Sequence, residues 1–194
     1  MIVGQDRTQV SVKVALAGMA DAGKLATLQA IAARFGYATV REDQVASQRI
    51  HRVSWTEPTH LPDGRLLNVS VFSLMGEIDY NAAEELLLRD AAGIVFVVDV
   101  DPLKFPLAWD RLLRLAENTR RNGYELSSVG LAVQYHRGDL HVDFDAVRYD
   151  ASLGLPVDRV PRFVSSSSEP STLVQALDSV LAQIHARLLS DLGR

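Results

Sequence analysis

Short apolar runs alternate with amphipathic segments along this chain, and the alternation predicts the order of its elements. We predict strands at about Val10–Ala17, Arg49–Thr56, Leu66–Leu74, Gly93–Asp99, Ser128–Tyr135 and Arg162–Ser166. Helices are predicted at about Lys24–Arg34, Tyr80–Arg89, Leu107–Asn122 and Thr172–Leu192, and Phe144–Tyr149 is compatible with a short helix. Strands that alternate with helices are typical of a mostly parallel sheet with both faces covered.

Two segments refine this architecture. The turn sequence Pro62-Asp63-Gly64 predicts a hairpin between the second and third strands, which is the one antiparallel element we expect. Residues Tyr37 to Arg49 are polar and weakly patterned, so we predict a loop there. The expected fold is therefore α/β, a six-stranded mostly parallel sheet with helices on both faces. Its ligand crevice should lie at the carboxyl ends of the strands.

Composition places the chain among ordinary globular proteins. Its 194 residues fit one domain, 1–194, and 47% of them are hydrophobic, which argues against disorder. A formal net charge of −4 gives no basic field, so we expect no nucleic-acid partner. The chain has no cysteine, shows no signal peptide, and its longest apolar run is Ala91–Val98. We expect a cytoplasmic protein without direct membrane insertion.

One motif carries specific chemistry. Residues 18–24, Gly18-Met19-Ala20-Asp21-Ala22-Gly23-Lys24, match G-x-x-x-x-G-K between an apolar strand and a helix. Glycines let successive backbone N–H groups turn toward a phosphate, and the following helix N-terminus favours an anion. The lysine reaches the terminal phosphates as a point charge. We therefore predict a P-loop nucleotide site that includes Ala22 and, in the first helical turn, Ala26.

The P-loop departs from the usual motif at two positions. Leu25 replaces the serine or threonine whose hydroxyl ligates Mg²⁺, and a hydrocarbon side chain cannot replace an oxygen ligand for a hard cation. Asp21 places a carboxylate inside the phosphate cradle, where it would repel the ligand unless it points outward. Both changes argue against tight, magnesium-dependent triphosphate binding.

Besides the P-loop, several further segments are distinctive, and together they span nearly the whole chain. They are Tyr80-Asn81-Ala82-Ala83, Leu86-Leu87-Leu88-Arg89, Gly93-Ile94-Val95-Phe96-Val97-Val98-Asp99, Asn122-Gly123-Tyr124-Glu125-Leu126 and Val133-Gln134-Tyr135-His136-Arg137-Gly138-Asp139-Leu140. In this order and with this P-loop, the chain resembles the MglA family of bacterial Ras-like GTPases, which control cell polarity and gliding motility. The resemblance implies the Ras-like P-loop fold and a guanine nucleotide, GDP or GTP, as cofactor.

The resemblance also assigns catalytic positions. Gly76 falls where the family has the switch II glycine that contacts a γ-phosphate, and Glu77 follows where a glutamine orients the attacking water. A carboxylate cannot donate the amide hydrogen bond of a glutamine. The switch I threonine and the catalytic arginine are expected between Thr39 and Arg52. Arg41, Arg49 and Arg52 are candidates for that arginine, although a solvated loop cation is the commoner meaning of such residues.

The guanine-recognition motif is partly kept. Asp139 matches the aspartate that accepts two hydrogen bonds from guanine, and Arg137 stands where a lysine covers the base. His136 replaces an asparagine, and we leave open whether it contacts a ligand or is a strand-end residue without one. Ser165, Ser166 and Ser167 occupy the region whose backbone N–H would meet the guanine oxygen.

Other chemistries find less support. The five histidines form no metal-binding pattern, and the acidic pair Glu84-Glu85 is interpreted as solvated helix charge. Two functions remain open. In the first, the chain is a degenerate GTPase that binds nucleotide weakly or without Mg²⁺, hydrolyses little, and acts by binding proteins. In the second, it is an active switch that hydrolyses GTP with help from a roadblock-type, MglB-like partner.

Overall fold

A computed structural model describes residues 8–36, 40–45, 48–74, 81–141, 143–156 and 158–192. Its strands are β1 (Gln9–Gly18), β2 (Arg41–Val45), β3 (Gln48–His60), β4 (Leu66–Leu74), β5 (Gly93–Asp99), β6 (Gly130–His136) and β7 (Arg162–Ser165). Its α-helices are α1 (Lys24–Arg34), α2 (Asn81–Leu88), α3 (Pro106–Arg121), α4 (Ala146–Leu153) and α5 (Gln175–Leu192). The predicted order of strands and helices is confirmed, and most boundaries differ by a few residues.

The strands form one mixed sheet in the order β2-β3-β4-β1-β5-β6-β7. β1 lies between β4 and β5 and pairs with both in parallel, and β5-β6 and β6-β7 are also parallel. β3 runs antiparallel to β4, as the Pro62-Asp63-Gly64 turn predicted. Because β1 is central, the segment that follows it emerges in the middle of the carboxyl edge of the parallel strands.

Helices cover both faces of the sheet and bury two apolar layers. Alternate residues of β1 serve the two layers: Val14 and Leu16 pack toward α1 and α5, while Ala15 and Ala17 pack toward α2, α3 and α4. Every residue of β5 is buried, which accounts for its apolar run without polar alternation. None of the helices in the described part of the chain combines the length and apolar character that a bilayer crossing requires.

Two sequence predictions about the sheet are wrong. In the described part of the chain the sheet has seven strands where six were predicted, because β2 lies within the segment Tyr37 to Arg49 that was expected to be a loop. The hairpin of β3 and β4 is also not the one antiparallel element, since β2 pairs antiparallel with β3. β2 is an edge strand of sequence Arg-Glu-Asp-Gln-Val, paired through its backbone with β3, and its first three residues are exposed. Such a strand has no hydrophobic alternation by which its sequence could reveal it.

Candidate functional site

The loop from Gly18 to Lys24 joins the central strand β1 to α1. At Gly18 a Cβ would lie 2.1 Å from the carbonyl oxygen of Val97 on β5, so only glycine fits. Gly23 has φ +98° and precedes the first residue of α1. Asp21 also has a positive φ, 54°, and its side chain is exposed, while Ala22 is fully buried. The loop thus turns tightly at the N-terminus of α1, where a phosphate is favoured.

Lys24 is folded back onto its own loop. Its Nζ donates to the carbonyl oxygen of Gly18 at 3.2 Å and to that of Met19, and the residue is only 8% exposed. Burial, followed by the charge of Arg111, lowers the pKa of Lys24 to about 8. Glu84 and the Asp21 carboxylate act in the opposite direction. Among the described residues, the acceptors of this buried ammonium are backbone carbonyls, and such an ammonium is a strong point of attraction for an entering phosphate.

A cavity of about 250 Å³ opens beside this lysine. Its lining combines residues of the P-loop and of the first turn of α1 with two side chains from other elements: Ala20, Asp21, Gly23, Lys24, Leu25, Ala26, Leu74 and Arg137. The predicted P-loop residues Gly18 and Ala22 are not among these lining residues. The cavity lies at the carboxyl ends of β1 and β4, where the fold places its ligand crevice. Leu74, the last residue of β4, was not predicted to belong to the site.

The described lining of this cavity does not suit Mg²⁺. Mg²⁺ requires oxygen ligands in near-octahedral geometry, and in P-loop proteins the chain supplies them from the Ser/Thr after the lysine and from a strand-end aspartate. Here Leu25 and Leu74 line the cavity, and Asp21 is the one carboxylate among its lining residues. Across the described ranges, no group of three or more His, Cys, Asp or Glu residues is arranged to hold a metal.

His136 connects the P-loop to the loop expected to read guanine. The residue ends β6 and is 2% exposed, and its ring packs so closely under Gly23 that a Cβ there would lie 2.2 Å from its Cδ2. Its Nδ1 is 3.2 Å from the Ser165 hydroxyl, and its Nε2 is 3.4 Å from the Ser167 hydroxyl. Burial, then the neighbouring Arg137 charge, lowers the pKa of His136. His136 is thus a buried residue that contacts both the P-loop and the serine segment, and it is not one of the described residues that line the cavity.

Arg137 and Asp139 extend from the same loop. Arg137 lines the cavity, and its Nη1 donates to the buried Asp99 carboxylate at 2.7 Å. The exposed Asp139 carboxylate accepts a hydrogen bond from the Ser168 hydroxyl at 3.3 Å. Hydrogen bonds, first from the Ser166 side chain, lower the pKa of Asp139, so this carboxylate is ionised as guanine recognition requires.

The serine segment after β7 is largely occupied by internal hydrogen bonds. Ser165 is buried and its hydroxyl donates to the Tyr135 carbonyl oxygen at 3.4 Å. The Ser166 N–H donates to the Thr172 hydroxyl at 3.0 Å, so it is already engaged within the loop. Among the predicted positions, Ser165 and Ser166 therefore shape the loop around His136 and Asp139.

The interpretation of Glu84 as a solvated helix charge is wrong. Glu84 on α2 is 3% exposed, accepts a hydrogen bond from Asn118 Nδ2 at 2.9 Å, and lies 3.4 Å from Arg111 Nη2 on α3. Glu84, Arg111 and Lys24 share the lining of a small cavity behind the P-loop. A neighbouring pair of acids in a sequence does not show which one faces the core, and the packing of α2 on α3 decides it.

The structure describes only some of the predicted switch positions. Gly76 and Glu77 lie outside the described residues, as does Thr39, so their assignment stays a prediction. Of the candidate arginines, Arg49 pairs with Glu42 at 3.8 Å and Arg52 with Asp43 at 3.7 Å. These pairs belong to the hairpin of β2 and β3, and Arg41 lies opposite Arg52 in the same pairing.

Asp99 was recognised in the sequence only as the end of a strand. It is fully buried and pairs with both Arg137 and Lys104. An acidic residue that ends an apolar strand at the carboxyl edge of a parallel sheet was the available signal. Its partner Arg137 follows 38 positions later, and no local pattern links the two.

Comparisons with known proteins agree with this geometry. No family model matches the chain. A segment of 70 residues is 29% identical to the mutual gliding-motility protein MglA of Myxococcus xanthus (strain DK1622). The match spans only 36% of this chain and 36% of MglA, so about a third of that relative's length is covered. The structure is similar to the G domain of the T. maritima FeoB iron transporter, with a TM-score of 0.61 and 20% identity, covering 91% of this chain and 99% of that one.

The structural likeness, at this low identity, shows the fold. Together with the partial sequence match, it confirms the α/β P-loop fold and the resemblance to MglA that the sequence predicted. The chain has the fold of a GTPase G domain and, over part of its length, resembles the small GTPase-like protein MglA.

Proposed function

We propose that this chain is a degenerate GTPase that holds a guanine nucleotide without requiring Mg²⁺, hydrolyses little or none of it, and works by binding protein partners. The observation that carries the proposal is the lining of the cavity, where Leu25 stands in place of the hydroxyl ligand, Leu74 adds a second hydrocarbon side chain, and Asp21 is the one carboxylate. The phosphate cradle beside them is retained. The lining residues thus favour binding of the nucleotide over its hydrolysis.

Nucleotide binding is supported by two groups of residues. At the P-loop, the N-terminus of α1 and the Lys24 ammonium attract phosphate, and Lys24 exchanges its two backbone carbonyl partners for phosphate oxygens. At the other end, Asp139 accepts hydrogen bonds from the guanine edge while Arg137 covers the base. An ionised carboxylate that accepts two N–H donors discriminates against adenine, which does not present that donor pair.

Weak hydrolysis is expected because the site offers Mg²⁺ poor ligands, and Mg²⁺ would otherwise neutralise the charge that develops on the phosphates. Phosphoryl transfer depends on metal ions that neutralise the developing charge and on a group that positions the attacking water. Leu25 supplies no oxygen ligand, and by resemblance Glu77 stands where the water-positioning glutamine belongs. The partners that we propose are roadblock-type, MglB-like or other regulatory proteins, in a cytoplasmic role related to bacterial polarity or motility.

The test is a titration of fluorescent GDP and GTP analogues in Mg²⁺ and in EDTA, with ATP as competitor. We expect affinities that differ by less than about twofold between the two conditions, little competition by ATP, and no GDP formed on prolonged incubation with GTP. Lys24→Ala should weaken binding about tenfold or more, because it removes a charge-assisted contact to phosphate. Arg34→Ala, an exposed cation at the far end of α1, is the control and should bind normally.

The competing function makes the opposite prediction. An active switch would bind at least about tenfold more tightly with Mg²⁺ and would convert GTP to GDP, faster with a roadblock-type partner. Either result would refute the proposal and would mean that another group, outside the described residues, supplies the magnesium ligand that Leu25 lacks.

A further inference from the structure

Asp99 is a buried carboxylate at the end of β5 with three hydrogen-bond donors around it. Its Oδ2 accepts from Arg137 Nη1 at 2.7 Å and from Lys104 Nζ at 3.2 Å, and its Oδ1 accepts the Asp101 N–H at 3.1 Å. The residue is fully buried, whereas the side chains of its two cationic partners are more than a third exposed. A buried charge of this kind is retained only where it is fully paired.

Arg137 adopts a backbone conformation that arginine disfavours. Its φ is +66°, in the left-handed region, and its N–H donates to the Ser165 carbonyl oxygen at 2.9 Å. A non-glycine residue in this region persists only when its surroundings hold it there, and such residues cluster at functional sites. The ion pair with Asp99 is the contact that fixes the far end of this side chain, and the same side chain lines the nucleotide cavity.

We propose that Asp99 is a positioning residue for the guanine nucleotide: it anchors Arg137 so that the arginine side chain is held where the base and ribose enter the cavity. The inference rests on the proposed function and adds to it the group that organises base recognition. The ion pair with Asp99 uses one of the five N–H donors of the Arg137 guanidinium, so its planar face and the other donors stay available for the nucleotide. Lys104 shares the same carboxylate, at 3.2 Å from its Oδ2.

A purely structural ion pair would behave differently from a positioning pair. Loss of a structural contact lowers stability and weakens every ligand alike. Loss of a positioning contact weakens the part of the ligand that Arg137 meets and leaves the phosphate contacts at the P-loop intact. The ratio of GDP affinity to pyrophosphate affinity separates the two roles, because pyrophosphate reaches only the P-loop.

The experiment compares Asp99→Asn, Arg137→Met and the double variant with the wild-type chain, in EDTA. Asparagine keeps the shape of Asp99 without its charge, and methionine keeps an apolar stem without donors. We expect each single variant to weaken GDP binding about tenfold and pyrophosphate binding by less than twofold. The double variant should be no weaker than either single one, because both remove the same interaction. Asp178→Asn, which breaks the exposed pair with Arg34, should change neither affinity.

Two outcomes overturn the inference in distinguishable ways. If the wild-type chain binds GDP and Asp99→Asn weakens GDP and pyrophosphate equally or not at all, Asp99 has a structural role and only this inference fails. If the wild-type chain binds neither ligand, the proposed function fails and the inference falls with it.

Discussion

The close contact between Gly23 and His136 allows a quantitative prediction about the P-loop. Gly23 has φ +98°, and a Cβ at this position would lie 2.2 Å from His136 Cδ2 and 2.7 Å from its Cγ and Nε2. Gly23→Ala therefore imposes a left-handed backbone on alanine, at about 1–2 kcal/mol, and overpacks a buried ring, at about 1–3 kcal/mol. We expect a total loss of about 2–5 kcal/mol in the free energy of unfolding.

A matched glycine isolates the steric part of this loss. Gly36 also has a positive φ, +52°, but nothing lies within 4 Å of the Cβ it would gain. Gly36→Ala should therefore cost only the backbone term of about 1–2 kcal/mol. The double variant Gly23→Ala/His136→Ala removes the ring that causes the clash, so it should lose less stability than the two single losses added together.

The assay is urea denaturation and thermal denaturation, each followed by circular dichroism, with fluorescent GDP binding as the functional readout. In a domain of this size 1 kcal/mol corresponds to about 2–4 °C, so Gly23→Ala should lower the Tm by roughly 4–20 °C. GDP binding should fall in Gly23→Ala and not in Gly36→Ala. Equal losses of stability in the two single variants, or strictly additive losses in the double variant, would refute the contact between Gly23 and His136.

Two further predictions concern buried charged and titratable side chains. Glu84→Ala should cost about 3–5 kcal/mol in unfolding free energy because it leaves the largely covered Arg111 guanidinium without its carboxylate partner. Glu85→Ala should cost about 1 kcal/mol or less, and similar losses for the two variants in urea denaturation would contradict the burial of Glu84. The second prediction concerns His136, whose pKa is lower in the folded chain than in the unfolded chain. As the pH falls, the imidazole of the unfolded chain therefore takes up a proton before that of the folded chain, and this favours unfolding. Stability should be fully present above about pH 6.5 and decline below it. In His136→Asn this decline should be smaller, and an unchanged pH profile of unfolding would argue against a buried neutral imidazole.

The sequence by itself determined the fold and the phosphate loop. Both are written in local patterns: apolar runs at strand spacing, apolar residues at helical spacing, and glycines at fixed offsets from one lysine. Each pattern reports how a short segment buries its apolar face or turns its backbone, and these requirements are met within a few residues. For the same reason Leu25 was recognisable from the sequence as a missing magnesium ligand.

Only the tertiary structure decided how the site is assembled. It placed Leu74 and Leu25 in the lining of one cavity, His136 against Gly23, and the Asp99 carboxylate against Arg137. It also revealed β2, whose polar residues carry no periodic signal, and showed that Glu84 faces the core. These contacts join residues that are tens of positions apart, and they depend on the strand order and on the packing of α2 against α3. Local periodicity contains no information about such long-range pairings, because the energy that selects them comes from burying the whole sheet between its two helical layers.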